Sequence, residues 1–210
     1  MEQYEITQSL LSSWNYAHTC SEAFAEEAMN SFLLALRGEQ EELSDDQRQN
    51  IQNGLDFESM VYARASGSPI AENPKWERGI ETLSEILTGA QFQVRIHKPI
   101  TVRGMNFVIH GVLDALKAGT IYDIKFKNKS FGSIDLPGNY FDSPQHPFYF
   151  YLVPEAHEFI YLVSDGQDIF LERYTPGETI DAASIIAEFM DFLNAKNLMD
   201  VYKSVWREDA

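Results

Sequence analysis

A chain of 210 residues, 44% of them hydrophobic, is long enough to bury a sizeable core and ordinary enough in composition to be globular. Its 32 acidic and 16 basic residues give a formal net charge of −16, which excludes a broad basic surface that holds nucleic acid by counterion release alone. The single cysteine, Cys20, excludes an internal disulfide and any cluster or zinc site built from several thiolates, and no apolar run of about eighteen residues is present to span a bilayer.

The start, MEQYEITQSLLSSW, has no basic flank, continuous apolar segment or small-residue cleavage site, so no leader is expected and the protein is expected in the cytoplasm. Ile6, Leu10, Leu11 and Trp14 recur at helical spacing and Thr7 suits an N-cap, which predicts a helix over 7–18. A second helix, 23–36, stops at Gly38, and Cys20 between them reads as a small core residue. The acidic GEQEELSDDQ that follows reads as a solvated connector or a disordered loop.

Ser44 with Gln47 three residues on forms a capping box, stapled by Leu43, for a helix over 45–65. Leu55, Met60, Val61 and Tyr62 are expected on its core face. Glu58 stands among them with no charged residue four positions to either side, either as a solvent-facing glutamate or as an acid held for chemistry. Asn73 and Pro74 suit N-cap and N1 of a helix through Trp76, Ile80, Leu83 and Leu87 that ends at Gly89.

From Gln91 the apolar period changes to two, and FQVRIHKPITV, NFVIHGVLDAL and TIYDIKFK read as a three-stranded meander with turn signals at Pro99, 103–106 and 117–119. Asp142 or Ser143 caps a helix running to Leu152, with Pro144 in its first turn and Pro147 early enough to be tolerated. HEFIYLV and DIFLERYT flank a turn at Asp165 and Gly166, and helices over 179–195 and 197–206 follow. This order implies an α/β (α+β) fold, a central mixed sheet flanked by helices, in one domain: a helical region over 1–53, a core over 54–175 and closing helices over 176–210.

Asp114 and Asp123 fall near the facing ends of two strands joined by a short hairpin, so they are near neighbours that repel unless a cation lies between them. Such hard oxygen ligands suit Mg²⁺ or Mn²⁺. Lys125, two residues after Asp123 on the same strand face, lies about 7 Å along it, close enough to act on water at the ion. Ile124, whose side chain turns the other way, leaves its backbone carbonyl as a further oxygen ligand. Gln145 and Tyr149, i and i+4, share a helix face that can hold Lys125 or a phosphate.

The G-x-x-D of Gly111 to Asp114, the D-x-K of Asp123 to Lys125 and the Q-x-x-x-Y of Gln145 to Tyr149 resemble, in order and spacing, the motifs of the RecB-like branch of the PD-(D/E)XK nuclease superfamily. Glu58, four residues after Gly54, resembles that branch's upstream helix position for a metal-ligating histidine or glutamate. The resemblance implies a restriction-endonuclease-like core and Mg²⁺- or Mn²⁺-dependent cleavage of DNA, as by a stand-alone phage or prophage exonuclease in recombination, repair or DNA processing. It implies Glu58, Asp114 and Asp123 as metal ligands, beside which the Ile124 carbonyl would stand, with Lys125 orienting or activating the water and Gln145 and Tyr149 in support. The chain lacks the cysteines of the iron–sulfur cluster found in some relatives, and a stand-alone domain without a helicase motor is expected.

Taken residue by residue, Asp114 and Asp123 are equally well turn-capping acids, and Lys125 an edge-strand lysine. Lys127 and Lys129 are either phosphate contacts or solvated, and His110 and His146 read as packing or DNA-contact residues rather than ligands. The expected partners are DNA and a recombination or single-strand-binding protein, with no membrane, and a homo-oligomer is compatible with a processive exonuclease. The acidity leaves a second reading open, a catalytically silent nuclease-like module that binds DNA or protein.

Overall fold

The structure is a computed structural model describing residues 2–133 and 137–208. Six strands form one mixed sheet: β1 (Gln3–Thr7), β2 (Gln91–Val102), β3 (Met105–Lys117), β4 (Thr120–Phe126), β5 (Glu158–Ser164) and β6 (Ile169–Tyr174). Around it lie α1 (Gln8–Thr19), α2 (Ala25–Leu36), α3 (Asp45–Ala65), α4 (Glu77–Leu87), α5 (Gln145–Leu152), α6 (Ala182–Ala195) and α7 (Met199–Val205). Among the described residues no helix is long and apolar enough to cross a membrane.

The sheet has a helical layer on each face. One core joins Phe57 and Val61 of α3 and Ile80, Leu83 and Leu87 of α4 to Ala115, Ile124, Ile160 and Leu162 of the sheet. The larger core, on the other face, gathers α1, α2, α5, α6 and α7 through Leu11, Phe32, Phe148, Phe189 and Tyr202 against Phe107, Ile109, Phe159 and Tyr161. The expected mixed sheet flanked by helices is therefore the observed architecture.

Local chemistry accounts for most boundaries. Thr7 Oγ1 accepts from Leu10 N at 3.2 Å at the start of α1, and Ser44 and Gln47 exchange capping-box hydrogen bonds at the start of α3. The β2–β3 and β3–β4 turns each pair a non-glycine residue with a glycine at positive φ, Arg103 (49°) with Gly104 (80°) and Ala118 (49°) with Gly119 (79°), the twist that joins neighbouring antiparallel strands tightly.

Four expectations need correction. Pro99 is no turn: it pairs with Val108 inside β2, tolerated because among the described residues β2 has β3 as its single strand neighbour and an N–H toward the open edge would go unused. The fourth helix begins at Glu77, not Asn73; residues 74–76 form a turn in which Trp76 N donates to Asn73 O at 2.9 Å. Leu55 is exposed, and Phe57 is the α3 residue that fills the core beside Val61. Residues 3–7, outside any expected strand, form β1, which pairs in parallel with β3 at Gln3↔Asn106 through Thr7↔His110.

Strand β3 is the element on which the site is built. β2 runs along one of its edges from Met105 to Leu116. The opposite edge is shared: β1 takes Asn106 to His110 and β4 takes Ala115 to Lys117, so Gly111 to Asp114 lie between two partners and pair with neither on that edge.

Candidate metal centre

The interrupted edge opens into a cleft of about 650 Å³, lined among others by Glu58, Gly111, Asp114, Asp123, Ile124, Lys125, Gln145 and Tyr149. β1 ends at Thr7 and turns into α1, whose first residues Gln8 and Ser9 form the near wall, while β4 peels away from β3 beyond Tyr122 and carries Asp123 and Lys125 along the far wall. Strand alternation also breaks at Asp114. Leu113 and Ala115 enter different cores, and Gln93, opposite Asp114 in the β2 register, has a φ of 51° and no ladder partner.

Where β3 and β4 part, side chains replace the ladder. Asp114 Oδ2 accepts from Ile124 N at 2.9 Å. A strand residue presents its N–H and C=O to the same edge, so the Ile124 carbonyl also faces the gap. Tyr149 Oη donates to Val112 O at 2.7 Å, satisfying a β3 carbonyl. The approach of α5 depends on Gly111: a Cβ there would lie 2.5 Å from Leu152 Cδ1 and 2.8 Å from Tyr149 Cε1.

Asp123 is 3% exposed. Its Oδ1 accepts a short hydrogen bond from Gln145 Nε2, and Lys125 Nζ stands 2.8 Å from its Oδ2. That oxygen has a charge partner but no well-directed donor, leaving lone-pair capacity inside the cleft. Glu58 accepts from Tyr62 Oη and, at 3.0 Å, from Gln93 Nε2; burial is the main cause that raises its carboxyl above the usual range, with Asp123 adding to it.

Electrostatics tie the acids together. Burial, then the charges of Asp123 and Glu58, push the Asp114 carboxyl up to about 8, against the bond from Ile124 N and the pull of Lys125. Burial works against the charge on Lys125, but Asp123, Asp114 and Glu58 outweigh it and hold the ammonium above its ordinary range. Three acids crowd around Lys125, and burial together with their mutual repulsion raises the Asp114 and Glu58 carboxyls.

The seven residues expected at the centre, Glu58, Asp114, Asp123, Ile124, Lys125, Gln145 and Tyr149, thus come together from α3, β3, β4 and α5. Lys127 and Lys129 do not line the cleft; Lys127 Nζ lies 5.5 Å from the Tyr140 ring centre, and burial followed by Lys125 lowers its pKa. His146 is buried, stacked on Tyr174, with its pKa lowered to about 4 by burial, as a packing residue should be. Sequence reasoning missed Ser9, Arg95 and His97 as cleft residues and set His110 aside, although all four line it. The outward alternation of Arg95 and His97 on β2 was a signal, but the gap that gives it meaning depends on β1, which the sequence did not reveal.

The donor set suits a hard divalent cation: Asp114, Asp123 and Glu58 supply carboxylates, Ile124 a carbonyl at an unpaired edge, and the buried Oδ2 of Asp123 an unfilled acceptor. Their repulsion is the second element of the fit. The three carboxylates do not form a closed cage as they stand; among the described residues, the ligand atoms within 4.8 Å of one another are those of Glu5, His110 and Glu208.

No family model matches the chain, and no curated protein matches it. Among solved structures it is similar to "Crystal structure of SSO0001", at 16% identity and a TM-score of 0.48 over 94% of this chain and 78% of that one. It is also similar to "Crystal Structure of LHK-Exo in complex with dAMP", at 16% identity and a TM-score of 0.49 over 95% of this chain and 89% of that one. Likeness at this level does not identify an activity, which must be sought in the chain's own cleft.

Proposed function

We propose that the cleft is the active site of a Mg²⁺- or Mn²⁺-dependent deoxyribonuclease of the RecB-like kind, hydrolysing phosphodiester bonds as an exonuclease. The observation that carries this reading is the convergence of Glu58, Asp114 and Asp123 with one lysine at an interrupted strand edge, an arrangement whose charge calls for a cation.

Asp114, Asp123, Glu58 and the Ile124 carbonyl would hold the cation. When bound it supplies Lewis-acid charge that offsets what builds up on the phosphate oxygens. Lys125, kept as an ammonium by its carboxylate neighbours, orients the attacking water and donates toward developing negative charge. With a cation bound, the carboxylate pull on Lys125 would weaken, and the lysine could then release its proton to solvent and, as the neutral amine, take the proton of the attacking water. Gln145 fixes the rotamer of Asp123, and Tyr149 locks α5 to β3 through Val112 O. Arg95 and Ser9, which also line the cleft, would take backbone phosphates. Lys127 and Lys129 would meet only substrate that extends beyond the cleft.

Purified protein should degrade linear or single-stranded DNA with Mg²⁺ or Mn²⁺ and stop when a chelator is added. Intact DNA of every form with both metals would refute the assignment. The net charge of −16 favours a second reading, a silent module that binds DNA or a protein such as a recombination or single-strand-binding factor. Its mark would be binding unaltered by chelator and no cleavage.

A further inference from the structure

Beside the cleft, which His110 also lines, β1, β3 and the segment after α7 bring together three side chains that the proposed catalytic centre does not use. One ligand atom each from Glu5, His110 and Glu208 lies within 4.8 Å of the others, and all three residues are partly buried. β1 places Glu5 on the side opposite Tyr4 and Ile6, both of which enter the larger core. His110 stands beside Thr7 in the parallel register.

Glu208 belongs to a fixed segment. Glu5 N donates to Trp206 O at 2.7 Å, Glu208 N donates to Gln3 O at 2.9 Å, and Tyr4 and Arg207 bridge between them. Trp206 Nε1 anchors the same segment to Leu36 O at 2.8 Å. The two carboxylates are therefore brought together by backbone pairing, which does nothing by itself to relieve their repulsion.

His110 adds an independent observation. Its Nε2 is buried and has no hydrogen-bond partner, although two carboxylates are close enough to contribute to one cluster with its ring. Leaving such an atom unsatisfied is costly unless something fills its lone pair. A second imidazole, His97, lies alongside, its ring centre 5.9 Å from that of His110.

From this geometry we infer that Glu5, His110 and Glu208 form a second cation site, selective for a borderline divalent ion such as Zn²⁺ or Co²⁺. An imidazole nitrogen with two carboxylate oxygens prefers these ions to Mg²⁺ or Ca²⁺, which favour oxygen alone. Metal bonds of about 2.0 to 2.2 Å put ligand atoms roughly 3 to 4 Å apart, so small rotamer changes close the set. The site pins the 206–208 segment to β1 and β3, and through His110 it sets a positive charge beside the cleft. It does not rest on the nuclease assignment.

The test uses the full chain carrying Asp114→Asn and Asp123→Asn, which removes the first centre, titrated with Co²⁺ and followed by visible absorption and calorimetry. One equivalent should bind, give a Co²⁺ absorption band and raise the melting temperature. Adding Glu208→Gln or His110→Gln should each weaken binding at least about tenfold, with circular dichroism confirming that the fold is kept. Failure of the doubly substituted protein to bind Co²⁺ would overturn the inference, as would binding unchanged by either added substitution. Absence of DNA cleavage by the unsubstituted chain, with Co²⁺ binding by the doubly substituted chain intact, would count against the catalytic reading alone.

Discussion

At Asp114, burial and two neighbouring carboxylates push the carboxyl up to about 8 from its ordinary 3.8. A raised acid binds a proton in the folded state that the unfolded chain has already released, so between those values folding stability falls as pH rises. The metal-free protein should be harder to unfold with urea at pH 5 than at pH 8, and a divalent cation should narrow the difference. Asp114→Asn keeps an oxygen to accept from Ile124 N and removes the charge; it should raise the urea midpoint of the metal-free protein at pH 8 while abolishing cleavage. A lower midpoint would mean that Asp114 is not under repulsion. Gln145→Ala strips a donor from an almost wholly buried Asp123 and should cost about 1 to 3 kcal/mol in denaturant unfolding, besides slowing cleavage.

Among elements, α5 and β3 depend on each other. Gly111→Ala would drive a Cβ into Leu152 and Tyr149, and moving α5 aside should cost about 1 to 3 kcal/mol. Because Gln145 rides on the same helix, activity should fall further than stability, a comparison made with urea titration and initial rates on one preparation. Tyr149→Phe, which frees Val112 O, should cost about 1 kcal/mol. Much at this scale was legible in the chain. Ser44 with Gln47, Thr7, and the glycines at 104 and 119 mark their boundaries by local hydrogen bonding and backbone freedom. The motif residues were legible as types at spacings, and Glu58 as an acid isolated on its helix. Long-range pairing was not: β1 is short and partly polar, and its strand character comes from a partner about a hundred residues away. Without β1 the gap on β3 cannot be inferred, so Ser9, Arg95 and His97 had no visible reason to belong to a site.

For the molecule as a whole, the question is how a chain with a net charge of −16 approaches a polyanion. On the proposed reading, neutralising the carboxylate cluster would be the local answer, and it would make DNA binding conditional on cations. Affinity in a filter or anisotropy assay should therefore be weak in chelator and rise with Mn²⁺, the reverse of a basic binder that needs no metal. On the proposed nuclease reading the cleft's charge, rather than the total, would govern recognition, since Lys125, Arg95 and the start of α1 all line the gap while the acidic connector between α2 and α3 is exposed.

The central claim is most directly tested by end-labelled linear DNA incubated with Mn²⁺ and three identically purified proteins: the native chain, Asp123→Asn and Lys125→Met. The native chain should release nucleotides while both substituted proteins, folded by circular dichroism, fall at least about a hundredfold below it. Equal cleavage by all three, or none by the native chain, would contradict a catalytic centre at the broken edge of β3.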